Sequence, residues 1–427
     1  MADLLLITTL DVLGRRNNRE HHVIAHFKAR FDRVTVVYRQ RGKPEKTTGD
    51  LLRARIEKSV QGGVTYIGVD PMLNPPEGAA RNFTAASSPT GTARKAVGLL
   101  IDTAGILRDW LTIRALAGAA RTVCNADSVT VCEAFGPWAA SAANILRREG
   151  RIVRYVYVDR DFEPGFMTSA LRRAWAVRTE QRATASADLT LSIGHRLAAR
   201  LACVPAAKVS LSPTGVDSRN FSAAPRTTPE PQLIFVGQVA PWSGIEESLD
   251  ALALLNGEGF DARLEIFGPS DTGYRRALER QIGERGLAAL VEWHGDCPRD
   301  QVGAALATAS IGLATFRAHP LRIHAAPLKL LEYMASALPV IALEGSEAGD
   351  MVTRTGVGLT CATQGTDIAR AVKAMLADPE LYRRMSKAGP PAAAEHDWDL
   401  VLGREFDMLA HLYRLGAPAL SDRRATA

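Results

Sequence analysis

Short apolar, β-branched runs recur along this chain, each parted from the next by a longer stretch of helical pattern, and the series occurs twice. Strands spaced in that way cannot close as hairpins, so crossovers must join them, which gives parallel sheets covered by helices. In the first series the spacing predicts strands at 4–8, 34–38, 64–67, 129–132, 152–158, 189–192 and 209–212, with helices over 94–120, 137–148 and 168–187. The second series predicts strands at 233–236, 264–267, 291–293, 311–314, 340–342 and 358–360. Between them Pro213, Gly215, Pro225, Pro229 and Pro231 break any period, so 214–232 reads as a linker. The fold class is therefore α/β, with an N-terminal domain over 1–213 and a second over 233–395. An amphipathic helix over 400–415 follows within a terminal segment, 396–416, and a polar tail, 417–427, is expected to be disordered.

At 427 residues, each half is large enough to bury its own core without crosslinks. The five cysteines are scattered with no C-x-x-C pair, which argues against a structural metal site. The apolar run Leu4–Ile7 is too short for a signal peptide or a membrane span, and a cytoplasmic location is expected. The net charge of +6 hides an asymmetry, because residues 1–225 carry 32 Lys+Arg against 20 Asp+Glu and the remainder 20 against 26. A balance of +12 against −6 suggests that the first half meets an anionic or lipid-linked partner, nucleic acid being the less favoured one. Neither a G-x-G-x-x-G after a strand nor a P-loop occurs, which weakens dinucleotide oxidoreductase and nucleotide hydrolase readings.

The most informative segment runs from Ala326 to Ala342. Pro327 suits the first turn of a helix, and Lys329 and Glu332, three apart, share one face near its start. A lysine at a helix N-terminus can hold a diphosphate, and a carboxylate one turn on can accept from ribose hydroxyls. The alternative reading of the same spacing is an exposed ion pair.

The pattern P-x-K-x-x-E-Y-M-A-x-x-x-P-V-I-A from Pro327 resembles the donor-site signature of GT-B glycosyltransferases of the large group-1, glycogen-synthase-like family. Other family segments occur in order: Pro213-Thr214-Gly215-Val216-Asp217 with Phe221, Phe235-Val236-Gly237, Trp242-Ser243-Gly244, and Ile266-Phe267-Gly268. The resemblance spans residues 185–415 and is thin over 1–150. It implies two Rossmann-like, doubly wound domains facing a cleft, with a C-terminal crossover helix returning to the first domain. It also implies a donor site at Gly237, Gln238, Ser243, Gly268, His324, Pro327, Leu328, Lys329 and Glu332. Gln238 and Ser243 stand where the family usually has an arginine and a lysine for the diphosphate, and His324 stands where it has a glutamate. Arg317 and Arg322 are nearby replacements for the missing cations.

In the first half, Asp159 ends a predicted strand within Tyr155-Val156-Tyr157-Val158-Asp159-Arg160-Asp161, a segment similar to the acceptor-facing one of bacterial glucuronosyltransferases. Asp159 is the first candidate for general base and Asp161 the second, with ion pairing or capping as their structural alternative. The loop after the first strand offers Gly14 for close backbone approach, and Arg19 and His22 as further contacts, His22 also as a catalytic candidate. The helix over 94–120 interleaves Leu99, Leu100, Ile101, Leu107 and Trp110 with Arg94, Lys95, Arg108 and Arg114, and either packs as core or lies on a membrane.

The expected activity is metal-independent transfer of a sugar from a UDP-, GDP- or dTDP-linked donor, with no other cofactor, to an acceptor hydroxyl in envelope polysaccharide or glycolipid synthesis. A natural-product transferase with a small soluble acceptor is the alternative, and a non-catalytic sugar-nucleotide binder stands behind both.

Overall fold

A computed structural model of the chain describes residues 2–14, 18–41, 53–74, 92–124, 129–167, 169–205, 207–221, 224–226 and 230–415. The predicted tail and the loop positions 15–17 lie outside them. The chain forms two compact units, one holding the residues up to Ser212 together with those from Leu402 onward, the other Pro213–Val401.

The first unit is built on an eight-stranded sheet. Its strands are β1 (Ala2–Thr8), β2 (Arg33–Arg39), β3 (Arg55–Gln61), β4 (Val64–Asp70), β5 (Val129–Phe135), β6 (Val156–Asp159), β7 (Leu189–Ser192) and β8 (Val209–Leu211), in the spatial order β3-β4-β2-β1-β5-β6-β7-β8. Helices α1 (Arg19–Phe27), α2 (Thr92–Arg121), α3 (Pro137–Arg148), α4 (Ala170–Ser186) and α5 (His195–Ala202) join them. All described pairings are parallel except β3 with β4. Strand β3 was not predicted: its residues are mostly exposed and polar, so no buried face marks it. The Gly62-Gly63 turn, with both residues at positive φ, is the signal that it pairs back on β4 as a hairpin. Strand β6 is shorter than predicted, and Tyr155 before it donates its N–H to the Asp188 carboxylate at 3.0 Å.

The second unit carries six parallel strands, β9 (Gln232–Val236), β10 (Arg263–Phe267), β11 (Val291–Gly295), β12 (Ile311–Ala314), β13 (Val340–Leu343) and β14 (Gly358–Cys361), in the order β11-β10-β9-β12-β13-β14. Around them lie α6 (Ile245–Gly257), α7 (Thr272–Glu284), α8 (Arg299–Thr308), α9 (Pro320–Ile323), α10 (Leu328–Ala335), α11 (Glu347–Thr355), α12 (Gly365–Ala377), α13 (Pro379–Ala394) and the start of α14 (Trp398–Tyr413). The central strands β9, β12 and β13 read as nearly unbroken apolar runs because both faces are covered, whereas β11 at the edge alternates with exposed Glu292 and His294. Leu233 and Phe235 of β9 join one core cluster, whereas Ile234 and Val236 pack with the other.

Two sequence readings change here. Pro327 is the residue preceding α10, in extended conformation, rather than within its first turn. The described part of 214–232 is packed, not loose: Val216 is buried and bridges Asp397, and Arg226 donates from its side chain to the carbonyls of Leu306, Ala309 and Ser336. Those carbonyls lie at the C-terminal ends of α8 and α10, where helices leave acceptors unsatisfied.

Helix α14 begins in the second unit, and from Leu402 its residues belong to the first. There Phe406 meets Phe27 edge-on at 5.8 Å, and the Tyr413 hydroxyl donates to the Arg154 carbonyl at 2.9 Å. Buried Glu405 pairs with Arg19 and accepts from Ser212.

Candidate functional site

In the second sheet β9 and β12 are neighbours although two strands, β10 and β11, separate them in sequence, so the connections leaving them run to opposite sides. Ligands of doubly wound sheets bind at the carboxyl ends of such a pair. Gly237 and Gly268 follow β9 and β10, with φ of 131° and 138°, and Gly295 closes β11 at 76°. The Gly237 N–H donates to the Phe267 carbonyl at 2.8 Å, and that of Gly268 to the Gly295 carbonyl at 2.6 Å. A Cβ on Gly268 would lie 1.9 Å from the Gly237 oxygen, so the strand ends close up only without a side chain.

Helix α10 brings Lys329 and Glu332 to this edge, and both are buried rather than forming an exposed ion pair. The Lys329 Nζ lies 3.4 Å from the centroid of Phe235 and 4.9 Å from that of Phe316. It also stands 3.2 Å from the point where a Cβ on Gly237 would be. Burial first, then the charge of Arg322, holds the ammonium well below the usual lysine range, against a smaller opposing effect of Glu332. Burial likewise raises Glu332, opposed by Arg299 and Lys329. Arg299 of α8, which forms an ion pair with Glu332, was not singled out from the sequence, since it sits on another helix with no motif around it.

The remaining predicted donor residues divide. Gln238 is exposed beside Gly237, and Pro327 and Leu328 are half-buried at the start of α10. His324 ends α9 and donates from Nδ1 to the Pro320 carbonyl at 2.7 Å. Ser243 is fully buried, and its hydroxyl closes its own turn on the Ala240 carbonyl at 2.7 Å, so it does not take over the contact of a turn lysine. Arg317 is committed to α6, with Nε 2.5 Å from Glu247 and an Nη 3.0 Å from Glu246, which corrects its reading as a replacement cation. Arg322 does sit at the site: its guanidinium stacks 3.6 Å from the Trp242 ring centroid and shares the Phe316 ring with Lys329.

At the carboxyl ends of the first sheet, Asp159 is fully buried. It accepts from the Tyr157 hydroxyl at 3.1 Å and from Ser192 at 3.4 Å, and faces Arg200 at 3.6 Å. Burial pushes its carboxyl up to about 8, with Arg200 opposing. A carboxylate enclosed in this way does not meet a substrate hydroxyl in this structure, contrary to the expectation for a general base. Asp161, two residues on, is exposed. Glu163, which the sequence did not single out, is half-buried just past β6 and is pushed up to about 7 by burial. Arg19 is likewise corrected: it is buried against Glu405 and Ser212 and is no surface contact. His22 is half-buried on α1, and the Gly14 N–H donates to Asp11 at 3.0 Å.

Among the described residues no group of three His, Cys, Asp or Glu side chains could hold a metal ion, and no helix is long and apolar enough to cross a membrane.

Comparison with known proteins agrees with this architecture. The chain is 30% identical over 186 residues to the alpha-D-kanosaminyltransferase of Streptomyces kanamyceticus, a match covering 43% of this chain, and it spans only 45% of that relative's length. Among solved structures it is similar to sucrose-phosphate synthase from Thermosynechococcus elongatus, with a TM-score of 0.70 at 15% identity over 97% of this chain and all of the other. It is also similar to the trehalose 6-phosphate synthase of Burkholderia multivorans, with a TM-score of 0.68 at 13% identity over the full length of both. Anabaena HepE, solved in complex with UDP, gives 0.65 at 14% over 96% of this chain and all of the other. Residues 217–391 match the family model for glycosyl transferases group 1. That segment is thus similar to the group-1 glycosyl transferases, and the fold is the GT-B fold that the structural neighbours share.

Proposed function

We propose that this protein transfers a sugar from a nucleoside-diphosphate donor to an acceptor hydroxyl, with the donor held by the second unit at the β9/β12 switch point. The observation that carries this reading is the convergence of Lys329, Arg322 and the Arg299–Glu332 pair on strand ends closed by glycine. In this reading Lys329 and Arg322 meet the diphosphate, and Glu332, held by Arg299, accepts from the ribose. A UDP donor is supported by the UDP complex of Anabaena HepE. The first unit takes the acceptor, and Glu163, more accessible than Asp159, is the better placed of the two to receive its hydroxyl.

Two acceptor classes have support. The similarity to a kanosaminyltransferase favours a small soluble acceptor. Helix α2 favours a lipid-linked one at a membrane face, since Leu100, Leu107 and Trp110 are exposed along one side of it and Arg114 lies over the Trp110 ring. Sedimentation with anionic vesicles, lost in Leu107→Glu and Trp110→Glu, separates the two.

The donor reading is tested by titrating UDP, GDP, dTDP and ADP calorimetrically into wild type, Lys329→Ala and Glu332→Ala. One diphosphate should bind selectively and both substitutions should weaken it; failure of all four to bind at millimolar concentration would remove the reading.

A further inference from the structure

We propose that Lys329 is uncharged in the nucleotide-free protein and takes up one proton from solvent when a nucleoside diphosphate binds beside Arg322. The inference rests on the donor reading above and adds a linkage between donor binding and pH.

The geometry leaves the ammonium poorly supported. Lys329 is only 9% exposed, and Nζ is lodged between the faces of Phe235, contributed by β9, and Phe316, from the segment after β12. Among the described residues no carboxylate lies within ion-pair distance of it. The charged groups acting on it are Arg322, which follows β12 on α9, and Glu332 on its own helix. Arg322 shares the Phe316 ring, at 5.6 Å, and so adds a like charge. Glu332 is already engaged by Arg299. Ring faces attract a cation, but two cations on one aromatic shelf repel, and the burial of Lys329 leaves its charge little water to screen it. The resulting depression of the lysine below its usual range agrees with this arrangement.

A diphosphate reverses the balance. It brings at least two negative charges to the shelf, which favour the ammonium by direct attraction. The last ionisation of a phosphate group falls near pH ~6, so at pH 8.5 the nucleotide arrives fully ionised and the proton must come from the buffer. No bond breaks: one proton passes from solvent to Nζ for each nucleotide bound. Linkage then requires affinity to fall as pH rises through the titration, by up to about tenfold per pH unit.

The test is calorimetric titration of the wild-type protein with UDP at pH 8.5 in Tris and in EPPS, buffers of different ionisation enthalpy, with GDP, dTDP and ADP in parallel. The observed enthalpy should increase with the ionisation enthalpy of the buffer, reporting net proton uptake. In Lys329→Met, binding should weaken and the buffer dependence vanish; in Arg322→Met, it should weaken and the uptake diminish. Binding without buffer dependence in wild type, or with the same dependence in Lys329→Met, would overturn the proposal while leaving the donor site standing. Absence of binding by all four nucleotides would remove the donor reading and this one with it. A measurement that needs neither variant folding nor nucleotide is the titration of ¹³Cε-labelled lysines by NMR. One lysine should titrate far below the others in the free protein, and a single common titration of all lysines would refute the idea.

Discussion

Replacing Gly268 by alanine tests whether the strand ends of the second unit are as tightly closed as the structure has them. The new Cβ would stand 1.9 Å from the Gly237 carbonyl oxygen and 2.6 Å from its carbon, both backbone atoms that cannot rotate away. The φ of 138° is also one that side-chain-bearing residues rarely adopt. Such backbone strain costs about 1–3 kcal/mol. Forcing an extra carbon into a packed site adds about 1–3 kcal/mol more. Together these give an expected loss of about 2–6 kcal/mol from the second unit, a large share of an ordinary stability of about 5–15 kcal/mol. Urea unfolding followed by tryptophan fluorescence, with Trp242 and Trp293 as reporters in this unit, should show the midpoint moving down. Gly237→Ala is the companion: its φ of 131° brings a similar backbone strain, but its Cβ meets only the side-chain end of Lys329, at 3.2 Å, and no backbone atom. It should cost less stability and impair nucleotide binding more. If Gly268→Ala unfolds within ~1 kcal/mol of wild type, the close approach of Gly237 and Gly268 is not a feature of the folded protein.

Arg226→Ala strips donors from three carbonyls at the ends of α8 and α10, and should destabilise the second unit by about 2–4 kcal/mol in the same assay, with Arg226→Lys recovering only part. Arg317→Ala should leave nucleotide affinity within about twofold, because its charge is already answered by Glu246 and Glu247, whereas Lys329→Ala should weaken binding by about tenfold or more, ~1.4 kcal/mol. Asp159 binds its proton more tightly in the folded protein, at about 8, than in the unfolded chain, so its contribution to stability is present at low pH and is lost as pH rises through that value. Stability-against-pH curves of Asp159→Asn should therefore decline less between pH ~4 and ~8 than those of wild type, and parallel curves over that window would contradict the burial of this carboxyl. Transfer activity should survive EDTA, measured as release of the nucleoside diphosphate; loss restored by a divalent ion would refute metal independence.

The strand pattern was legible because burial on both faces writes long apolar runs into the sequence, as at Leu233 to Val236. Where burial is absent the signal fails, and β3 escaped notice although the Gly62-Gly63 pair announced its turn. At the site, Lys329 and Glu332 were legible through helical spacing, but their partners were not. Arg299 arrives from a different helix, and although Phe235 and Trp242 lie in segments that resemble the family's, nothing in sequence pairs them, or Phe316, with Lys329 and Arg322 until the fold stacks them. Arg317 and Arg322 are indistinguishable in sequence; what separates them is that α6 presents Glu246 and Glu247 to one, while Trp242 receives the other. Asp159 was recognisable as a strand-end carboxylate, yet its enclosure depends on Arg200 and Ser192, which the chain supplies tens of residues later.

The anchoring of Glu405 on Arg19 and Ser212 has a consequence for how the protein is made. Ser212 and its partner are 193 residues apart, and the whole second unit is synthesised between them. At ~5–20 residues per second the first unit waits roughly 10–40 s on the ribosome before its last helix exists. During that interval Arg19 and the buried Glu133, which Arg19 acts on together with Glu405, lack the third member of their charge cluster. The second unit is contiguous and can fold as soon as it emerges. The N-terminal half of this chain is thus translated first and completed last.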